Sequence, residues 1–376
     1  MSLLNRIVAT AAAAASLTAA GLAMGPAAGA TPTPSSPFIA RFHKLTNIAS
    51  TVPGNGDVNP YGVAVVGQSR GRLHRGDVLV SNFNNKANLQ GTGTTIVEIS
   101  PGGHQTLFSR IRASQLPGSC PGGVGLTTAL VALRGGWVIV GSLPSTNGTA
   151  ATAKAGCLIV LDSNGVVRRT ITGHGINGPW DAVAVQRGQR ADLFVTNVLN
   201  GTVAANGRVV HRGTVVRLGL RLFRHRAPLV VASTTVGSGF AQQTNAAAFV
   251  IGPTGLGLGR GGTLYVADTS ANRITAIPHA ITRHGTAGTG AVVTRNGWLN
   301  APLGLTIAPN GDVLTVNGNN GLIVETTPGG VQVAKRLLDS AGSPKGAGAL
   351  FGLAIAPRGS GVYYVDDVTN MLRLLH

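Results

Sequence analysis

The sequence predicts an all-β fold, a six-bladed β-propeller of four-stranded antiparallel blades, and three observations lead there. The 376 residues include 55 Gly and only 11% charged residues; helix-forming composition is scarce, while Gly, Val and Thr favour short strands joined by tight turns. Gly has no three-residue period and apolar residues reach 43%, which excludes a collagen-like chain and a disordered polycation. The third observation is internal similarity: one four-strand unit recurs six times from residue 59 to the C-terminus, as stacked supersecondary repeats require.

The elements follow in chain order. Residues 1–30 read as a secretory signal: Arg6 opens it, Ile7 to Ala23 is apolar, and Ala28-Gly29-Ala30 is a small-residue cleavage pattern. The chain is therefore expected to be exported, periplasmic or extracellular, with no membrane anchor after cleavage. A short Pro/Ser/Thr-rich segment, 31–37, precedes the propeller of 38–376.

First strands recur as NPYGVAVV from Asn59, GGVGLTTALVAL from Gly122, GPWDAVAV from Gly178, GPTGLGL from Gly252, APLGLTIAP from Ala301 and LFGLAIAP from Leu350. Second strands follow as GDVLVSN from Gly76, GWVIVGS from Gly136, ADLFVTN from Ala191, GTLYVAD from Gly262, GDVLTVN from Gly311 and GVYYVDD from Gly361. Third and fourth strands flank Gly-containing hairpin turns such as Pro101-Gly102-Gly103, Asn164-Gly165 and Pro328-Gly329-Gly330. Taking Gly62, Gly125, Asp181, Gly255, Gly304 and Gly352 as equivalent gives the propeller period. The sixth copy ends after three strands, so Phe38 to Phe42 is expected to supply its fourth and pair an edge otherwise open to aggregation.

Cys120 and Cys157 are the only cysteines. An even count in an oxidising compartment favours a disulfide, and the apolar run from Cys157 to Leu161 equally allows a small buried hydrophobe.

In the fourth copy, TLYVADTSANRITAI resembles an NHL repeat, with Asp268, Asn272, Arg273 and Ile274 on its characteristic positions. That resemblance implies a six-bladed propeller with a central tunnel and leaves the activity open, since a fold carries many functions. The regucalcin and gluconolactonase family, similar in architecture, places metal-binding carboxylates and amides at the tunnel mouth. Here those positions are mostly apolar, and a calcium ion would have only Asp181, Asn82 and Asn197, thin ligation for a hard cation. No metal or cofactor is otherwise predicted.

Propeller geometry sorts the loops onto two faces. On the upper face, long Asn-rich connections between second and third strands in the first three copies, and the residues Tyr61, Trp180, Asp181 and Phe351 at the tunnel mouth with Asn82 and Asn197, are candidates for binding a protein, glycan or small molecule. The same aromatics could instead plug the tunnel. The lower face collects Arg70, Arg72, Arg75, Arg187, Arg190, Arg221, Arg224 and Arg226, a candidate surface for an anionic envelope polymer. Against 30 Lys+Arg stand 12 Asp+Glu, only two of them glutamates, Glu98 and Glu325. The nine histidines show no zinc spacing, and no nucleophile elbow or Walker lysine is present. The expected function is that of an exported, monomeric binding module, the alternatives being a hydrolase or lyase at the tunnel mouth and a basic-faced scaffold.

Overall fold

The computed structural model describes residues 36–246 and 248–376. The expected signal segment lies outside them, and no described helix is long and apolar enough to cross a membrane. Six antiparallel sheets form six blades around one axis, each running from an inner first strand to an outer fourth. The inner strands are Val58–Val65, Leu126–Ala132, Pro179–Arg187, Pro253–Leu258, Pro302–Ile307 and Leu350–Ile355. Helix is confined, among the described residues, to single 3-10 turns.

Each inner strand breaks register with its neighbour at the same place, between Pro60 and Gly62, Leu126 and Leu130, Pro179 and Ala182, Pro253 and Leu256, Pro302 and Leu305, and Leu350 and Leu353. These irregularities bend the strand at the axis. There the inner strands approach closely: a Cβ on Gly304 would sit 2.0 Å from the Phe351 carbonyl oxygen, and one on Gly352 would sit 2.2 Å from that of Tyr61. Blade two departs from the expected equivalence, because its break falls on Thr127 to Ala129. Gly125 instead packs under the loop at Gly91, which explains its lack of a side chain without placing it on the axis.

Blade three carries a fifth strand, Phe249–Ile251, on its long outer strand Leu229–Asn245. Between blades the cores are largely aliphatic, as where Ile139, Leu158 and Val160 meet Leu193, Val195 and Leu218. The Cys120–Cys157 disulfide is formed and ties the connection before blade two to that blade's third strand. Closing a loop across a separation of 37 residues contributes about 4 kcal/mol in the chain-entropy account.

The ring is closed by the N-terminal region, yet by a different segment than expected. Leu45–Ser50 pairs antiparallel with the last strand, Met371–Leu375, to complete blade six. The expected strand is a 3-10 turn at Ile39–Arg41, and the reason is Glu325. Its carboxylate accepts the N–H of Phe38 at 2.6 Å and of Ile39 at 2.8 Å, consuming the donors a strand would need. Arg336 donates to the carbonyls of Ala40 and Phe42, while Phe38, Ile39 and Phe42 bury themselves against Leu314, Leu350 and Tyr364. The apolar segment is therefore an anchor, and the less hydrophobic LTNIAS after it is the strand.

Glu325→Ala should lower the unfolding free energy by about 3 kcal/mol, since it leaves two backbone donors facing an apolar wall. Denaturant unfolding checks this, with the equivalent Glu98→Ala, which removes one backbone bond, expected to cost less.

Candidate functional site

The upper tunnel mouth is filled. Tyr61, Trp180, Leu303 and Phe351 precede the axial position in their strands and are 4%, 5%, 5% and 6% exposed. Tyr61 stacks on Phe351 with centroids 4.0 Å apart and on Phe83 at 4.5 Å, with Trp180 at 6.0 Å. These three aromatics form a plug; they present no open platform. The long upper loops knit over it: Phe83, Leu143, Leu199 and Phe249 join the same core, Gln90 donates to the Ala246 carbonyl and Ser145 to that of Gln90.

Asn82 lies within one second strand and Asn197 ends another, opposite Pro60 and Pro179, and both are fully buried. Asn82 donates to the Thr51 carbonyl at 2.9 Å; Asn197 accepts the Asn177 N–H at 3.0 Å and donates to the Val195 carbonyl. Both latch loops to blades. Only Asp181 of the three lines the axial cavity, so they do not converge as a ligand set for calcium.

Asp181 stands where blades four to six have Gly. Its Oδ1 accepts the Ala182 N–H at 2.8 Å and its Oδ2 accepts the Leu256 N–H of the next blade at 2.9 Å. Burial pushes its carboxyl up to about 7, against the pull of those two backbone donors. Below the plug the lumen encloses about 440 Å³, with Asp181, Thr128, Thr306, Gln186 and Arg134 among its polar lining. Arg134 and Gln186 mark its lower end, where the Arg134 N–H donates to Gln186 Oε1.

The lower face is where unpaired charge gathers. A cleft of about 500 Å³ between blades two and three is lined by Arg70, Arg168, Arg169, Arg224, Arg226 and His225, with Asp162 the one carboxylate. Asp162 is already bound to Arg168 at 2.7 Å, and Arg169 Nε is buried without a partner. Arg226 lies over the Phe223 ring at 4.0 Å, which holds its planar fork in place. Arg187, Arg190 and Arg221 line a neighbouring hollow with Asp192, and Arg75 another with Arg358. Arg72 is turned inward to the carbonyls of Leu107 and Phe108. Sequence reasoning misses Arg168 and Arg169 because they lie on an outer strand, although the basic pair closely follows the Asn164-Gly165 turn.

No protein-family model matches the chain, and no curated protein does. Solved propeller structures do. A gluconolactonase of Xanthomonas campestris is 13% identical with a TM-score of 0.51, covering 88% of both chains. A calcium-binding regucalcin of Agrobacterium tumefaciens is 13% identical at 0.52, covering 88% of this chain and 93% of its own. A luciferin-regenerating enzyme is 11% identical at 0.54, covering 89% and 95%. At such identities the likeness concerns the six-bladed fold alone.

The shift at Asp181 fixes a sign for stability. With an ordinary value of 3.8 and a folded value of about 7, the folded state holds this proton more tightly. The contribution is full below about pH 4 and lost as pH rises to about 7. Asp181→Asn should remove that decline, read as the difference between the two proteins' unfolding free energies across this range; parallel pH profiles would show that Asp181 titrates normally.

Proposed function

We propose that this protein is a binding module for anionic polymers, engaging them through its lower face with the cleft between blades two and three as the main seat. The observation that carries this reading is the cleft itself: five arginines and a histidine face a cavity whose single carboxylate is already paired. Arginine forks match phosphate, sulfate and carboxylate groups, and the flanking hollows at Arg187, Arg190, Arg221 and at Arg75 extend the same sign of charge along the face. An exported chain would meet such polymers in the cell envelope. Among the described residues the aromatic plug and knitted loops fill the upper tunnel mouth, so the upper face takes the supporting role.

Retention on immobilised heparin tests the proposal. A variant with Arg169, Arg224 and Arg226 changed to Ala should elute at clearly lower salt, its log-log salt slope smaller by roughly one for each sulfate group it no longer neutralises. Changing Arg110, Arg112 and Arg295 removes equal charge near the opposite end of the blades and should have a much smaller effect; equal reductions for the two triples would reduce the cleft to bulk charge.

One observation favours a second reading, a hydrolase or lyase acting in the lumen: a carboxyl titrating near neutrality lines that cavity, as a general acid requires. Turnover of a simple aldonolactone that disappears in Asp181→Asn, with folding intact, would support it, whereas turnover unchanged by that substitution would exclude Asp181 as the acid.

A further inference from the structure

The two glutamates of the chain occupy the same position in two blades and meet different fates. Glu98 pairs with Leu79 and Glu325 with Leu314 across their sheets. Each is preceded in its blade by the same Gly-Asp-Val-Leu turn, Gly76 to Leu79 and Gly311 to Leu314. In blade five Glu325 is saturated by the N–H groups of Phe38 and Ile39 and by Asn310 Nδ2 at 3.0 Å, and Asp312 accepts from the same Asn310 side chain.

Blade one lacks these donors. Arg75 takes the place of Asn310, and among the described residues no chain segment donates to Glu98 as Phe38 and Ile39 donate to Glu325. Glu98, whose side chain is 4% exposed, accepts one hydrogen bond, from the His74 N–H to Oε1 at 2.8 Å; its Oε2 accepts none. Asp77 has no side-chain hydrogen bond, and its nearest basic partner is the His74 imidazole, with Nδ1 3.8 Å from Oδ2. The same Nδ1 lies 3.7 Å from Glu98 Oε1, and ligand atoms of all three residues fall within 4.8 Å of one another. Burial raises both carboxyls above their usual range, with only His74, His104 and Arg72 opposing. Arg72 is engaged with carbonyls of Leu107 and Phe108.

We infer that His74, Asp77 and Glu98 form a binding site for a divalent transition metal of the zinc type, filling in blade one the place that the N-terminal segment fills in blade five. One imidazole nitrogen with two carboxylates suits zinc better than calcium or magnesium, which take all-oxygen sets. A tetrahedral ion with bonds of about 2.0–2.1 Å holds its ligand atoms roughly 3.4 Å apart, against 3.8 and 3.7 Å from His74 Nδ1 to the two carboxylates, and the exposed His74 side chain has room to close that part of the gap. Three protein ligands leave one position for water or an anion, on the same face as the arginine cleft.

The test uses the full chain without an affinity tag, stripped with chelator, and titrated calorimetrically with ZnCl2 and separately with CaCl2 at pH 7.5. Expected are saturable one-to-one zinc binding with a raised melting temperature, and far weaker calcium binding. His74→Ala should weaken zinc at least about tenfold, as even loss of an outer-sphere partner costs that much; Glu98→Gln should do the same, and His284→Ala, an exposed imidazole elsewhere, should not. Because His74 is 68% exposed, its replacement leaves folding intact even if Glu98→Gln does not fold. Absence of saturable zinc binding, zinc binding that survives His74→Ala, or calcium binding of equal strength would each overturn the assignment.

Discussion

Everything in this propeller depends on how closely six inner strands can approach one axis. Backbone meets backbone there: the Gly255, Gly304 and Gly352 positions leave no room for a Cβ beside the next strand's carbonyl. Where blade three meets blade four, the gap is bridged by a carboxylate, since Asp181 reaches across to the Leu256 N–H. A buried carboxyl is costly to ionise in such a place, so a residue that serves as an interblade strap also becomes the group in the lumen with the most shifted proton affinity among those lining it. Architecture and chemistry at Asp181 arise from one substitution for glycine.

The same crowding directs the residue before each axial position upward into a shared core. Large side chains at three of those positions stack on one another and on Phe83, and this apolar surface then recruits Leu143 and Leu199 from the long loops and Phe249 from the fifth strand of blade three. Loop length, which ordinarily marks binding segments, here reflects the material needed to roof an aromatic plug. Residues such as Asn82 and Asn197 are polar because they fasten the connections that enter blades one and three, Asn82 by donating to the Thr51 carbonyl and Asn197 by accepting the Asn177 N–H. The open chemistry is displaced to the lower face.

The repeat pattern, the axial glycines and the basic lower turns are legible in the sequence because each follows from local spacing. What escapes depends on groups far apart in the chain. Phe38 to Phe42 has the hydrophobicity of a strand, and only Glu325, 287 residues from Phe38, diverts it into an anchor. Gly125 imitates an axial glycine because it too lacks space, but against Gly91. Arg168 and Arg169 alternate along an outer strand, and nothing local shows that Arg224 and Arg226 from the next blade come to face them. Sequence alone keeps two readings of Cys157 open, because its partner in space is fixed by the fold of the preceding loop.

The acid deficit and the basic face are two sides of one allocation. Among the described residues, carboxylates pair with Arg168, Arg217, Arg273 and Arg373 alone among the arginines. Of these, Arg273 and Arg373 belong to the turn in which an Asp ends one strand and an Arg begins or follows in the next, with Asn272 and Asn370 in left-handed geometry binding the N–H of Ala301 and Asn59 in the following blade. Other acids fasten backbone, as Asp57 does at Thr94 and Glu325 at Phe38. With most of its carboxylates committed to holding turns, caps and the ring closure, the chain has few left to neutralise the lower turns. A face of uncompensated arginine therefore follows from how the fold uses its twelve acids, and an external anion is the partner we propose to supply the missing charge.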